Sequence, residues 1–159
     1  MNSKNEVDPM FMAEAIAEAR KGLAEGGIPI GAIIVVGRKI IGRGHNQRVQ
    51  KDNPILHGEM DAFQNAGRQP PDVYRRATIY TTLSPCTMCG GTVVHYRLPR
   101  IVIGENETVK NTTLCEEWLR SCGVEVVNLD LQECKVLMAE FIRSYPVIWN
   151  EDIGRPHVD

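Results

Sequence analysis

Two short segments constrain this chain more than anything else in it: His57-Gly58-Glu59, and Pro85-Cys86-Thr87-Met88-Cys89. Each falls at the start of a predicted helix. Cys86 and Cys89 are three apart, so at a helix start both sulfurs project to one side. Unpaired N–H groups and the helix dipole favour thiolates there. Two thiolates and one imidazole suit zinc, a borderline-soft ion that prefers tetrahedral sulfur and nitrogen sites. His57 is the natural third ligand. It precedes Cys86 by 29 residues, enough for a helix and a strand to fold back between them.

The order of elements fits that return. Residues 9–25 carry Phe11, Met12, Ile16, Ala19 and Leu23 at helical spacing, with Gly26-Gly27 as a stop. Apolar runs at 30–36 and 39–44 flank Gly37-Arg38, which reads as a β-hairpin. Helices are expected at 57–66, 87–96, 114–121 and 131–143, and strands at 77–82, 100–104 and 124–129. Residues 146–159, rich in Pro, Gly and acids, read as a tail. Helices alternating with strands after a hairpin predict an α/β fold: a five-stranded mixed, largely parallel sheet with about five helices on both faces. The 159 residues suffice for one compact domain and not for two ordinary ones.

A structural zinc site would need a fourth ligand. Cys115, Cys122 and Cys134 make no CxxC pair and read as buried thiols; His45, His95 and His157 are the other candidates. With three ligands, one position stays open to water, which is the catalytic arrangement. Glu59 favours that reading. Two residues from His57, it reaches the pocket without binding metal, and a carboxylate there can move a proton from water. HxE and PCxxC together, in this order, form the signature of zinc-dependent base deaminases.

With these motifs in place, the chain resembles the cytidine/deoxycytidylate deaminase superfamily, and most closely its fungal-type cytosine deaminases. The resemblance starts at Gly26-Gly27-Ile28-Pro29-Ile30-Gly31 and passes through Gly42-Arg43-Gly44-His45-Asn46, Leu56-His57-Gly58-Glu59 and Tyr80-Thr81-Thr82-Leu83-Ser84-Pro85-Cys86. It continues through Gly104-Glu105-Asn106 to Trp149-Asn150-Glu151-Asp152-Ile153-Gly154. It implies a three-layer α/β/α sandwich, a homodimer and one catalytic zinc per subunit. It also implies that Asn46, the backbone N–H of Gly58 and Asp152 hold a pyrimidine ring. Ser84 would offer its backbone carbonyl to the amino group, and Ile30 and Trp149 would line or close the pocket. Val109 stands where the fungal enzymes carry an aromatic ring over the base, a change that alters stacking and widens the pocket.

The function expected is therefore hydrolysis of cytosine to uracil and ammonia, in the cytoplasm and in pyrimidine salvage. Isocytosine, creatinine-like rings and guanine are alternative small substrates for the same chemistry, and iron is an alternative metal for the same ligands. A tRNA adenosine deaminase shares the signature, but 18 Lys and Arg against 20 Asp and Glu leave a net charge of −2, no surplus for phosphate binding. A zinc scaffold without activity would have no use for Glu59. No export signal is expected from residues 1–10, and no apolar run is long enough to span a bilayer. Replacing Cys86 with Ala should take the purified protein from one zinc per chain to essentially none, as read by elemental analysis.

Overall fold

The apolar run after Pro29 becomes the middle of a sheet. In the computed structural model, which describes residues 4–110 and 112–156, strand β1 (Gly31–Val36) is flanked by β2 (Lys39–His45) and β3 (Ala77–Thr81), both antiparallel to it. Strands β4 (Arg100–Ile103) and β5 (Glu125–Asn128) continue the sheet in parallel, giving the order β2-β1-β3-β4-β5. The sheet has the five strands expected and is mixed. It is not largely parallel, since two pairings run each way. The reason is local. Gly37, with φ of 63°, turns the chain at once from β1 into β2, whereas parallel neighbours need a helical crossover.

Helices α5 (Thr87–His95) and α6 (Thr112–Ser121) supply those crossovers. The remaining long helices are α1 (Lys4–Ala24), α3 (Gly58–Ala66) and α7 (Gln132–Ser144). Three short ones, α2 (Arg48–Lys51), α4 (Pro71–Tyr74) and α8 (Pro146–Asp152), exceed the five expected. Helix α1 also begins before Pro9, where the pattern would start it at residue 9. Asp8 explains the extension: it accepts a hydrogen bond from the Tyr80 hydroxyl at 2.9 Å and a two-pronged contact from Arg100 at 2.7 and 2.6 Å. These tertiary bonds outweigh the local cost of a proline in the early turns.

Strand alternation sorts the core into two layers. Ala32, Ile34, Ile79, Ile101 and Ile103 meet Ala62, Phe63 and Ala66 of α3, Val93 of α5 and Leu119 of α6 on one face. Ile33, Val35, Tyr80 and Val102 meet Phe11, Met12, Ala15 and Ile16 of α1 and Cys134 of α7 on the other. This is the three-layer α/β/α sandwich. A third cluster, Ile28, Ile30, Leu83, Met138, Phe141 and Trp149, ties α7 and α8 to the sheet end where β1 starts and β3 finishes. Among the described residues, no helix is long and apolar enough to cross a membrane.

Helix α3 presses directly on β2, and two glycines allow it. A Cβ at Gly42 would sit 2.4 Å from the Ala62 carbonyl oxygen, and one at Gly44 would sit 2.5 Å from the Ala62 nitrogen. Both obstacles are backbone, so neither can swing aside. Gly42→Ala should therefore destabilise the protein by about 1–3 kcal/mol, the usual range for overpacking, read as a lower urea midpoint at unchanged slope.

Candidate active site

Helices α3 and α5 both begin at one end of the sheet. His57 is the N-cap of α3 and Cys86 the N-cap of α5, each with extended backbone, and neither side chain caps its own helix. Both are thus free to point at each other: the Cys86 Sγ lies 3.6 Å from the His57 Nδ1. Cys89, in the first turn of α5, completes the group, and the three donor atoms lie within 4.8 Å of one another. Tetrahedral zinc, with Zn–S near 2.3 Å and Zn–N near 2.1 Å, requires donor separations of about 3.5–3.8 Å. The residues present fit that ion. Among the described residues, no other group of three His, Cys, Asp or Glu donors has this spacing.

The charges fit as well. A hydrogen bond from Cys89 and another from His57 bring the Cys86 thiol down to about 4 against the opposing effect of burial. The Cys86 bond, with burial, holds Cys89 well above the ordinary thiol range. Burial lowers His57, but the Cys86 bond and the charges of Asp152, Glu59 and Cys86 outweigh it and raise the imidazole to about 9. Burial, chiefly, pushes Cys115 up to about 11 and Cys134 up to about 12, so both stay thiols. Cys115 and Cys134 are buried as expected, whereas Cys122 is exposed, because it lies just past the end of α6.

Glu59 is buried beside this group. Its Oε1 accepts from the Thr81 hydroxyl at 3.0 Å and its Oε2 from the Cys89 thiol at 3.5 Å. Burial, then the Cys86 charge, raises its affinity for a proton. A cavity of about 550 Å³ opens in front, lined by Ile30, His57, Glu59, Ser84, Trp149 and Asp152, with Val109 also on its wall. Asp152 is no solvated tail residue: its side chain is 5% exposed, and one oxygen, Oδ1, lies 3.2 Å from Asn46 Nδ2, 3.3 Å from His57 Nε2 and 3.6 Å from Arg48 Nη1. A carboxylate behind a ligating imidazole fixes its tautomer and orientation.

Asn46 and Gly58 are not among the lining residues. Asn46 is fully buried and reaches the wall through Asp152. A Cβ on Gly58 would lie 2.9 Å from the Ile30 carbonyl oxygen, so the helix start sits hard against that strand end. His45 serves no metal; its ring nitrogens face Glu18 at 3.1 Å and Glu25 at 2.8 Å. His95 packs edge-on against Tyr96. His157 lies outside the described residues.

Two residues escaped the sequence reading. Thr81 supports Glu59. Glu116, 3% exposed, accepts from the Ser84 hydroxyl at 2.8 Å and from Asn106 Nδ2 at 3.1 Å, binding the zinc-site loop to α6. Its only trace in sequence is a spacing of three from the buried Leu119.

Comparison with known proteins agrees with this geometry. Residues 5–105 match the family described as the cytidine and deoxycytidylate deaminase zinc-binding region, and the chain belongs to that family. It is a zinc-binding deaminase, hence a hydrolase. The chain is 52% identical over 148 residues to a cytosine deaminase of Candida albicans, covering 92% of this chain and 97% of that one. It is 36% identical to a tRNA-specific adenosine deaminase of Bacillus subtilis, over 86% and 89% of the two chains. A solved structure from Thermotoga maritima, a diaminohydroxyphosphoribosylaminopyrimidine deaminase/5-amino-6-(5-phosphoribosylamino)uracil reductase, aligns with a TM-score of 0.72 at 26% identity, over 90% of this chain and 42% of that one.

Zinc needs neutral imidazole and thiolates. Without metal at pH 7, Cys86 is already ionised, whereas His57 and Cys89 still hold their protons. Binding must release both. Zinc affinity should therefore rise with pH, by about 100-fold per unit between about pH 4 and about pH 9, flattening for the His57 share above that. Chelator competition at pH 6.5, 7.5 and 8.5 measures the slope.

Proposed function

We propose that the protein hydrolyses cytosine to uracil and ammonia. The observation that carries this reading is Glu59: a buried carboxylate, held by Thr81, beside three zinc donors at the floor of a cavity. The cytosine deaminase of Candida albicans, matched over nearly its whole length, supports the choice of base.

Zinc, when bound, would supply Lewis-acid activation of water near neutral pH. Glu59 takes a proton from the attacking water and delivers it to N3 of the ring as the oxygen adds to C4. It then moves the proton of the hydroxyl just added at C4 to the amino group, which leaves as ammonia while C4 becomes a carbonyl, so that one water is consumed for each base. Burial suits Glu59 to this task, because it brings proton affinity closer to working pH. His57, Cys86 and Cys89 hold the metal. Asp152 and Asn46 hold the opposite edge of the ring, with the Gly58 N–H nearby. The Ser84 carbonyl receives the amino group, and Ile30 and Trp149 cover the ring faces. Fixing the ring makes the attack effectively intramolecular. Helix α8, which carries Trp149 and Asp152, shields the reacting centre from water.

The same reading includes a homodimer, a cytoplasmic location and a part in pyrimidine salvage. Tyr96, Leu114 and Trp118, large apolar side chains exposed at the end of α5 and on α6, give a second copy something to cover. The Bacillus subtilis relative keeps an adenosine within tRNA in view as a second substrate. The net charge of −2 weighs against it.

Ultraviolet absorbance with zinc-loaded protein should show cytosine converted and cytidine untouched. Conversion of a tRNA adenosine instead would overturn the proposal. Glu59→Gln should retain zinc yet lose at least about 100-fold in kcat, the lower range for removing a positioned proton carrier.

A further inference from the structure

Asn46 sits on the connection between β2 and α2, and a residue of α3 contacts both of its chain neighbours. Asp61 of α3 is 1% exposed. Its Oδ2 accepts the backbone N–H of His45 at 3.1 Å and the Nε2 of Gln47 at 2.9 Å, so one oxygen grips the residues on both sides of Asn46. The Asn46 backbone N–H is anchored to the Ile30 carbonyl at 2.9 Å. Its side chain is oriented from both ends, each atom keeping one further bonding site: Oδ1 accepts from the Arg48 N–H at 3.1 Å, and Nδ2 donates to Asp152 Oδ1 at 3.2 Å. Asp152 in turn lies 3.3 Å from the His57 imidazole.

We propose that Asp61 is the positioning residue of Asn46, setting the amide that, on the reading above, holds the ring edge. Packing alone would not select it. The other oxygen, Oδ1, is buried with no hydrogen-bond partner among the described residues, a cost that an apolar side chain would avoid. What Asp61 offers is a carboxylate oxygen that takes two donors at once, and such bonds are stronger than neutral ones.

The unpartnered Oδ1 provides a control. In Asp61→Asn the amide nitrogen can occupy that place while the oxygen keeps both donors; in Asp61→Ala both are lost. Zinc-loaded Asp61→Ala should show KM for cytosine raised about tenfold or more with zinc content unchanged and kcat less affected, and Asp61→Asn should stay within about threefold of the parent. The direct readout is the side-chain NH2 pair of Asn46 in 15N–1H spectra, assigned by its absence in Asn46→Asp. It should shift in Asp61→Ala and not in Asp61→Asn. An unmoved Asn46 signal in Asp61→Ala would overturn the positioning role whatever the kinetics. A shifted signal with unchanged KM would uphold the positioning role and overturn instead the reading that Asn46 holds the base. Should Asp61→Ala not fold, Gln47→Leu removes one of the two donors and should still shift the Asn46 pair and raise KM about threefold; an unmoved pair there would likewise count against the proposal.

Discussion

The starts of α3 and α5 meet at one end of the sheet, and the arrangement of the site depends on that meeting. Each start presents unpaired N–H groups and the positive end of a dipole, so two such ends brought together need negative charge between them. Cys86 provides it as a thiolate, Cys89 in the same turn adds a sulfur that would ionise on a metal, and the adjacent His57 supplies the third donor from the other helix. A doubly charged ion of borderline softness would balance two thiolates there. The sheet makes the meeting geometrically available: α3 follows the return from β2, α5 follows β3, and β1 lies between those two strands. Placement at the carboxyl ends of the parallel strands is the general pattern for open α/β sheets.

Around this point the protein buries a cluster of polar groups. Asn46, Glu59, Asp61, Thr81, Ser84, Glu105 and Glu116 are all buried, and all lie on the elements that border the site. Glu105 accepts the N–H groups of Glu107 and Thr108 at 2.7 and 3.0 Å, so it shapes the loop that leads to Val109. Each buried carboxylate costs desolvation, offset here by backbone and side-chain donors. The face of the sheet beneath α3, α5 and α6 is different: there Ile34, Ile79, Ile101 and Leu119 form an apolar core whose burial stabilises the fold.

The last helix connects the two regimes. Trp149 packs with Met138 and Phe141 of α7, so α8 is held by ordinary hydrophobic burial. One turn on, Asp152 faces Asn46, His57 and Arg48. A segment that reads locally as an acidic tail is thereby fixed as one wall of the cavity.

Sequence by itself determined the local and the strongly patterned. Apolar runs around Gly37-Arg38 marked the hairpin, β-branched and apolar composition marked the later strands, and helical spacing of apolar residues marked the long helices. Donor chemistry and spacing singled out His57, Cys86, Cys89 and Glu59, because short-range geometry at a helix start already aims such side chains. Tertiary structure alone decided what depends on distant partners. Asp152 meets Asn46 across 106 residues and Tyr80 meets Asp8 across 72, and no local period encodes either contact. Glu116 became a bond acceptor for Ser84 because α6 crosses over the zinc-site loop, and Asp61 reached the neighbours of Asn46 because Gly42 and Gly44 let α3 lie against β2. The even split of parallel and antiparallel pairings, and the burial of α8, were likewise settled by where the elements packed, since a strand or helix carries its own period but not the identity of its neighbour.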